Sequence, residues 1–385
     1  MNETLSRVMF VYLGRRGLSR FAYDVARAGL ADKAMAASIM VSRQNELYSA
    51  FSDLGEAHLA VDTFNSNPGA ILQAWRIPLI RRQLRQHLRS VRPQVVIELM
   101  PHVWSSFIAP VIKAAGVRYV PIIHDASSHP GDYRSASIEW LTSRSLRQAD
   151  RILTLSGTVA GRIKATRLGL RTEIMPLFHP DLDFGGRHGL GPPQLGEPMR
   201  LAFFGRIMPY KGLPLFLDMI DELRGQGIAV EVGVFGEGDL GACRARLEAM
   251  GAQVINRWLT EAEIGALLPL YHAIVLSHVE ASQSGVAATA FGIGLPVIAT
   301  PVGGIIEQVE DKMTGVLAAR ADASALAEAA KRLLLDPGLY QLIRHNSVAF
   351  DGDRSMARFV KECVSHALDA GRHTEVAHFS GRSQI

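Results

Sequence analysis

Arg206 and Lys211 stand in a glycine-containing segment, FFGRIMPYKG (203–212), that links an apolar run to an amphipathic run. An arginine can bind two oxygens of one anion, and a lysine adds a compact positive charge. Gly205 allows a tight turn where a ligand approaches the backbone, and the helix predicted to follow adds its N-terminal N–H groups. The segment predicts a diphosphate site, with a solvated surface loop as the alternative.

A second segment, HVEASQSGV (278–286), precedes an apolar helix and offers hydroxyl, amide and carboxylate groups. Glu280 could accept sugar hydroxyls or oppose developing positive charge. Three neighbours could offer hydroxyls and backbone N–H groups to phosphate at the helix N-terminus: Ser282, Ser284 and Gly285. The turn PVGGIIE (301–307) follows the next predicted strand, and its Glu307 could hold a ribose diol.

Two further patterns fit known motifs poorly. GEGDLG (236–241) matches the dinucleotide fingerprint, but the acid about 20 residues later, Glu261, begins a predicted helix instead of ending a strand. NAD binding is therefore disfavoured. Asp181 and Asp183 have the D-x-D spacing of a metal motif, but their place beside a Gly/Pro-rich stretch favours a turn or cap. Since no His, Cys and carboxylate cluster has metal-ligand spacing, we expect neither a metal nor a cofactor.

In the first half, polar residues follow predicted strands, where functional loops concentrate. His102 comes after one strand, and His124 with Asp125 comes after the next. His129 lies further along the same loop. A lone histidine is more often structural than functional, so both interpretations stay open at each position.

Short apolar runs alternate with longer amphipathic runs along the chain. Strands are predicted at 8–13, 37–41, 95–99, 119–123, 152–155, 173–175, 201–204, 230–234, 273–276 and 297–299. The clearer helices are predicted at 19–29, 78–91, 213–223, 325–335 and 354–370. Apolar strands that alternate with helices indicate parallel sheets buried on both faces. The predicted fold class is α/β, with two doubly wound Rossmann-like domains that face each other across a cleft.

A Gly/Pro-rich stretch near the middle of the chain predicts the domain boundary, since it suits neither a helix nor a central strand. We predict a first domain at 1–185, a linker at 186–199 and a second domain at 200–353. A C-terminal helix at 354–371, which could cross back to the first domain, and a flexible tail at 372–385 complete the chain.

Composition narrows the class of protein. The 385 residues are 48% hydrophobic and 20% charged, which suits two globular domains and excludes a disordered chain. Only two cysteines, and a start that lacks the long apolar stretch of a signal peptide, predict a cytoplasmic protein. The uncharged stretch 281–306 contains five glycines and two prolines, which disfavours a membrane span.

The positive charge is concentrated in the first half. Residues 1–187 hold 24 Lys and Arg against 15 Asp and Glu, whereas residues 188–385 hold 17 against 22. The segment 76–92 is a predicted amphipathic helix with arginines off its apolar face. Such a helix could lie on anionic lipid, or pack on the core with a solvated arginine face. It has few aromatics interleaved for base stacking, which disfavours a nucleic-acid partner.

Four motifs in the second half occur in a characteristic order: FxGRxxxxKG, EASQSG, GxPVIATPVGGxxE and, at Asp311, Thr314 and Gly315, DxxTG. Together they resemble the donor-binding half of the retaining glycosyltransferases of family 4, which have the GT-B fold. The EASQSG loop is similar to that of a branch found in polysaccharide and lipopolysaccharide assembly.

This resemblance implies transfer of a sugar from a UDP- or GDP-linked donor to a glycan or lipid-linked acceptor, with retention of configuration and without a metal. It implies that Arg206 and Lys211 neutralise the leaving diphosphate and that His124 contacts the donor sugar across the cleft. Glu280 resembles the first acid of the E-x7-E signature. The implied donor-binding residues are Gly14, Gly17, Gly205, Gly236, Ser282, Gln283, Ser284, Gly285 and Glu307. The acceptor-side candidates are His102, Asp125 and His129.

The chain departs from this signature. Ala288 stands eight positions after Glu280 and is followed by Thr289, so the second acid is missing. Counting back from the downstream Gly-Leu-Pro instead places Thr289 at the second acid and Ala281 at the first. The role of Glu280 therefore depends on which offset holds.

Two alternatives to a glycosyltransferase stay open. A nucleotide-sugar epimerase of similar architecture would form product from the donor alone. A non-catalytic nucleotide-sugar-binding protein that lost activity with the second acid would bind the donor without transfer. The expected location is the cytoplasm, with peripheral membrane contact through residues 76–92 if that helix binds lipid.

Overall fold

The computed structural model of the protein describes residues 5–55, 58–66, 68–125, 136–184, 189–194, 196–349 and 352–369. In these ranges the first sheet has seven parallel strands: β1 (Ser6–Tyr12), β2 (Met35–Ser42), β3 (His58–Val61), β4 (Val95–Glu98), β5 (Arg118–Ile123), β6 (Arg151–Thr154) and β7 (Glu173–Pro176). Its helices are α1 (Ser19–Ala31), α2 (Tyr48–Ser52), α3 (Gly69–Leu72), α4 (Ile77–Val91), α5 (Ser105–Ala114), α6 (Ala136–Leu146) and α7 (Gly157–Lys164).

The second sheet is also parallel. Its described strands are β8 (Met199–Phe204), β9 (Val230–Phe235), β10 (Gln253–Ile255), β11 (Ala273–Leu276), β12 (Val297–Ala299) and β13 (Gly315–Leu317). The helices are α8 (Leu213–Gly225), α9 (Cys243–Ala249), α10 (Glu261–Leu267), α11 (Gly285–Ile293), α12 (Ile305–Gln308), α13 (Ala323–Leu334), α14 (Pro337–Ala349) and α15 (Met356–Leu368).

Both sheets are doubly wound. The strand orders are β3-β2-β1-β4-β5-β6-β7 and β10-β9-β8-β11-β12-β13, so each order reverses beside its first strand. Alternate residues of β1 enter different cores: Val8 and Phe10 pack with residues of α1 and α15, whereas Met9 and Val11 pack with residues of α4 and α5. Helices therefore cover both faces, and the predicted α/β architecture of two Rossmann-like domains is confirmed. In such sheets ligands bind at the carboxyl ends of the strands, where the order reverses.

The sequence pattern fails to predict β3, β10 and β13. All three lie at sheet edges, where a strand is paired on one side only. The residues of β10 and most of β3 are partly exposed, so they lack the apolar run by which a central strand is recognised. β13 is only three residues long and begins with a glycine.

The chain passes between the domains in residues 177–184, called the crossover below, which pack against α11. The Leu182 N–H donates to the carbonyl of Ala288 at 3.1 Å. A Cβ added at Gly292 would lie 1.8 Å from the Leu182 carbonyl oxygen, so only glycine fits there. Instead of the predicted turn or cap, Asp181 forms an ion pair at 3.0 Å with Arg354, which precedes α15.

The C-terminal helix α15 lies on the first domain. Its buried residues Phe359, Val360 and Cys363 join the core that includes α1 and β1. In the predicted linker, Leu190 accepts hydrogen bonds from Tyr340 and Arg344 of α14 at 3.1 and 2.8 Å. Residues 186–188 and 195 of that linker, and the predicted tail, lie outside the described residues. Among the described helices, none reaches the length and apolar character needed to cross a bilayer.

We expect Gly292→Ala to lower the free energy of unfolding by about 1–3 kcal/mol, because the new methyl group overlaps the Leu182 carbonyl. The matched control is Gly161→Ala in the middle of α7, where a Cβ meets no atom within 4 Å. That control should be neutral or more stable by up to about 1 kcal/mol. Denaturant unfolding measures both, and equal stabilities would contradict the close packing of the crossover on α11.

Candidate functional site

The loop after β8 is tied to the loop after β11. The backbone of Gly212 has φ +68°, and a Cβ there would lie 2.0 Å from the carbonyl oxygen of Ser277. The Ser277 hydroxyl contacts the carbonyls of Lys211 and Gly212 at 3.1 and 2.9 Å. The Val279 N–H donates to the carbonyl of Tyr210 at 2.8 Å. These contacts fix the main chain of Lys211 at the carboxyl end of the second sheet.

The side chain of Lys211 is buried, whereas that of Arg206 is exposed. Burial, together with the nearby positive charge of Arg206, lowers the pKa of Lys211 to about 8. The negative charge of Asp125, which follows β5 of the first domain, acts in the opposite direction. The structure thus places the two predicted cations near each other and brings a first-domain acid close to them.

The N-terminus of α11 lies beside Lys211. A Cβ on Gly205 would stand 2.9 Å from Val286 Cγ2 and 3.3 Å from Lys211 Nζ, so the loop after β8 packs on the first turn of α11. Ser284 caps this helix by accepting the Ala287 N–H at 3.2 Å. Its own N–H donates to Gln308 at 2.6 Å.

The hydroxyl of Ser284 is therefore part of the helix cap. The other N–H groups of the first turn have no partner within the helix, and they carry the positive end of its dipole. An anion at this end of α11 would meet both these N–H groups and the ammonium of Lys211.

Two buried histidines face this region from the first domain and the crossover. His124 Nε2 contacts the Leu99 carbonyl at 2.7 Å, and His179 Nδ1 contacts the Pro180 carbonyl at 2.8 Å. Phe21 packs against both rings, with centroids 5.6 and 5.9 Å away. A Cβ on Gly285 would lie 4.0 Å from His179 Nε2, so this nitrogen points at the start of α11.

Their protonation follows from these contacts. Burial lowers the pKa of both imidazoles, that of His179 to about 4, so both are neutral at pH 7. A carbonyl only accepts, so the nitrogen beside it must carry the proton. His124 Nδ1 and His179 Nε2 are then unprotonated acceptors, and both are buried without a hydrogen-bond partner among the residues that the structure describes. Two such acceptors suit a ligand rich in hydroxyl groups. His179 is not predicted from the sequence, because its segment contains no recognisable motif.

Helix α7 of the first domain contacts the loop that contains Glu280 and Ser282, and Glu307 in α12. The Glu307 carboxylate accepts the N–H groups of Gly157 and Thr158 at 2.6 and 2.7 Å. The Ser156 hydroxyl donates to the carbonyl of Ser282 at 2.8 Å. These bonds join the two domains beside the site.

Arg162, also on α7, pairs with Glu280 at 3.2 Å. The ribose role predicted for Glu307 and the sugar role predicted for Glu280 stay predictions, and in this structure both carboxylates contact α7.

The glycines of GEGDLG have a structural explanation. A Cβ on Gly236 would lie 2.0 Å from the Gly205 carbonyl oxygen, and one on Gly238 would lie 2.2 Å from that of Ile207. The loops after β8 and β9 therefore run in backbone contact, which only glycine permits. Glu261 begins α10 inside a capping box formed by Thr260 and Glu263, as expected for a helix start.

Other predicted residues lie on the first-domain side. Gly14 passes over the ring of Tyr12, and its carbonyl accepts from Asn45 at 2.8 Å, while Gly17 has φ +91° in open space. His102 stacks on Phe64 with centroids 5.1 Å apart. Burial and then the charge of Arg15 lower the pKa of His102 to about 3. These residues lie in the loops after β1, β3 and β4.

Three predicted features remain to be located. His129 lies outside the described residues. Gln283 has a buried side-chain oxygen that meets no hydrogen-bond partner in the described part of the chain. At the missing second acid, Ala288 is buried under the crossover, and the Thr289 hydroxyl donates to the Gly285 carbonyl at 2.9 Å. In the described ranges, no three His, Cys, Asp or Glu residues group as metal ligands would.

Comparison with known proteins agrees with this geometry. Residues 198–336 match the family model described as "Glycosyl transferases group 1". The match includes the loop of Lys211 and all of α11, and it does not include the first domain.

Two curated relatives carry related names. The chain is 26% identical over 299 residues to a 2-deoxystreptamine glucosyltransferase of Streptomyces kanamyceticus, covering 69% of this chain and 74% of that protein. It is 29% identical over 197 residues to an amylovoran biosynthesis glycosyltransferase of Erwinia amylovora, covering 47% of this chain and 44% of that protein. The family match and these relatives support a glycosyltransferase.

A solved structure shows the fold. HepE of Anabaena, crystallised with UDP and glucose, superimposes with a TM-score of 0.68 at 15% identity, over 94% of this chain and 99% of that protein. The two doubly wound domains of this chain therefore form a GT-B fold, as the resemblance of the motifs implied.

The pKa of Lys211 predicts how diphosphate binding depends on pH. In the unliganded protein the ammonium of Lys211 loses its proton near pH 8. Affinity for UDP or GDP should therefore fall above that pH, by up to about tenfold per pH unit. Lys211→Arg keeps its charge throughout this range and should flatten the profile. Isothermal titration calorimetry from about pH 7 to about pH 9.5 measures both, and a flat wild-type profile would contradict the assignment.

Proposed function

We propose that the protein is a retaining glycosyltransferase that moves a sugar from a nucleoside diphosphate donor to a glycan or lipid-linked acceptor without a metal ion. The observation that carries this proposal is the convergence of Lys211, the first turn of α11 and two neutral histidines at the facing edges of the two domains. A cation and helix N–H groups suit a diphosphate, and the imidazole acceptors suit the hydroxyls of a sugar.

The mechanism is electrostatic. As the bond between the sugar and the diphosphate breaks, negative charge grows on the leaving oxygens while the sugar becomes oxocarbenium-like. Arg206, Lys211 and the N–H groups at the start of α11 are already in place to stabilise that charge, so no reorganisation is needed at the moment of reaction. These groups would supply the charge that a metal ion supplies in other transferases.

His124 and Glu280 act on the sugar side in this proposal. The unprotonated Nδ1 of His124 accepts a hydrogen bond from a donor-sugar hydroxyl and so orients the ring. Glu280 reaches the sugar from the loop after β11, with its carboxylate held at 3.2 Å by Arg162 of the other domain. Asp125 lies near the cation of Lys211 and, with His102, faces the acceptor.

The names of the relatives suggest the biological setting. One relative acts in amylovoran biosynthesis, which agrees with the resemblance of the EASQSG loop to polysaccharide and lipopolysaccharide enzymes. We therefore place the reaction in cell-surface polysaccharide assembly, with the enzyme in the cytoplasm and in peripheral contact with the membrane through residues 76–92.

The decisive assay incubates the purified protein with UDP- and GDP-sugars, with and without an acceptor extract and with and without EDTA. We expect transfer that needs the acceptor and is unaffected by EDTA, and NMR of the product should show the anomeric configuration of the donor. Product from the donor alone would indicate an epimerase. Donor binding without any product would indicate a non-catalytic binder.

Lys211→Ala should lower kcat by about 100- to 1000-fold, the usual effect of removing one group that stabilises transition-state charge. The control is Lys331→Ala on the far helix α13, where the lysine contacts only Glu328 and Gln226 among the described hydrogen bonds. Near-normal turnover in Lys211→Ala would exclude the diphosphate role.

His179→Phe separates sugar binding from diphosphate binding. Phenylalanine keeps the packing against Phe21 but removes the acceptor, so kcat/KM for the nucleotide sugar should fall by about 3- to 10-fold, the effect of one hydrogen bond. Affinity for UDP or GDP alone should not change. An equal loss for diphosphate and nucleotide sugar would contradict the sugar role of His179.

A further inference from the structure

Four large apolar side chains lie exposed at the start of the basic helix. Ile71, Leu72, Trp75 and Leu79 have exposed fractions of 82%, 75%, 70% and 52%. Single exposed apolar residues are ordinary, but a group confined to nine consecutive residues is a feature that marks an interaction site. We call these four residues the apolar edge.

Positive charge continues directly from the apolar edge along α4. Residues 69–92 contain six arginines and no Asp or Glu. Ile80, Leu84 and Leu88 face the core of the first domain, whereas Arg82, Arg85 and Arg89 lie on the exposed side. The helix is therefore packed on the core by its apolar face, and its arginine face is open for a second partner. Arg76 lies 5.4 Å from the ring centroid of Trp75, which orients the indole.

The segment that contains the apolar edge is hydrogen-bonded to loops at the carboxyl end of the first sheet. The Trp104 indole N–H donates to the carbonyl of Ala70 at 3.1 Å, and Trp104 lies beside His102 in the loop after β4. The guanidinium of Arg76 donates to the carbonyl of Thr63, just after β3, at 2.7 Å. Because the carboxyl ends of the strands line the cleft, the apolar edge stands at the rim of the cleft on its first-domain side.

We propose that the apolar edge inserts into the interfacial region of an anionic lipid bilayer while the arginines of α4 bind the headgroups. Tryptophan is favoured at the boundary between headgroups and acyl chains, and isoleucine and leucine gain by leaving water. Each arginine close to an anionic surface adds attraction. A segment that joins exposed apolar groups to cations and lacks acids fits this partner.

The proposed function includes membrane contact through residues 76–92, and the apolar edge adds a site of insertion to it. The consequence of this insertion for sugar transfer rests on the proposed function. With the apolar edge in the bilayer, the loop that contains His102 lies directly above the membrane surface. An acceptor anchored in the lipid could then reach the cleft without leaving the bilayer.

Sedimentation of the full chain with vesicles tests the proposal. We expect binding to phosphatidylcholine vesicles that contain phosphatidylglycerol, and much weaker binding to phosphatidylcholine alone. The triple variant R82Q/R85Q/R89Q should lose on the order of 100-fold in affinity, from about 1 kcal/mol for each arginine. The matched control is R167Q/R171Q, two exposed arginines outside α4, which should bind almost as well as the wild type.

The variant I71S/L72S tests insertion, with Leu170→Ser as its control, because Leu170 is 83% exposed. We expect at least tenfold weaker binding for I71S/L72S only. Fluorescence quenching by lipids brominated in the acyl chain should occur in the wild type and be reduced in Trp75→Phe, which removes the inserted indole. Unchanged binding of I71S/L72S, or vesicle binding independent of anionic lipid, would overturn the proposal.

Two readouts separate this inference from the proposed function. Vesicle binding is measured without donor or acceptor, so it can succeed even if no sugar is transferred. Thermal stability and affinity for UDP or GDP should be the same in I71S/L72S and the wild type, since these side chains are exposed. If I71S/L72S instead changes the sedimentation of the protein alone, the edge is a contact between copies of the chain and the lipid proposal fails.

Discussion

Lys211 carries a positive charge where water cannot solvate it well, and much of the site depends on how that charge is held. Burial and the neighbouring Arg206 both oppose its protonation, and its pKa falls to about 8. Its main chain is held in position, because the Ser277 hydroxyl is hydrogen-bonded to the carbonyls of Lys211 and Gly212. An anion between Lys211 and the first turn of α11 would offset the desolvation of this charge. Its binding would then be more favourable than binding to an exposed lysine.

The second organising feature is the contact of α7 with the loops of the other domain. Glu307 accepts N–H groups at the start of α7, Ser156 holds the carbonyl of Ser282, and Arg162 pairs with Glu280. These bonds hold α7 of the first domain against the second domain beside the candidate site. Polar contacts of this kind exchange with water at a small net free energy, so they can position the domains without locking them.

The crossover contributes the rest of the positioning. Its passage over Gly292 brings His179 to the start of α11, and the pairing of Asp181 with Arg354 connects it to α15. Ala288, which stands eight residues after Glu280 where the E-x7-E signature has its second acid, is covered by this crossover. A longer, charged side chain at that position would have to be buried against the backbone of Leu182, which is a physical reason for a small residue there.

The sequence alone determined the central strands, because buried parallel strands are continuous apolar runs between glycine-containing turns. It also predicted the diphosphate loop, since Gly205, Arg206, Lys211 and Gly212 are close in the chain and their types suit an anion site. The strands β3, β10 and β13 could not be predicted, because the residues of β10 and most of β3 are partly exposed and β13 is only three residues long. The dinucleotide-like glycines were recognisable as a pattern, but only the packing of two loops explained them.

Tertiary structure decided what the histidines and acids contact. His179 has no local signal, and it enters the site only because the crossover returns to α11. The same holds for Arg162, which lies more than 100 residues before its partner Glu280, and for Glu307, whose contacts belong to the first domain. A site built from residues close in the chain can be recognised from their types and spacing. A contact between domains depends on the packing of the whole chain, so no local pattern predicts it.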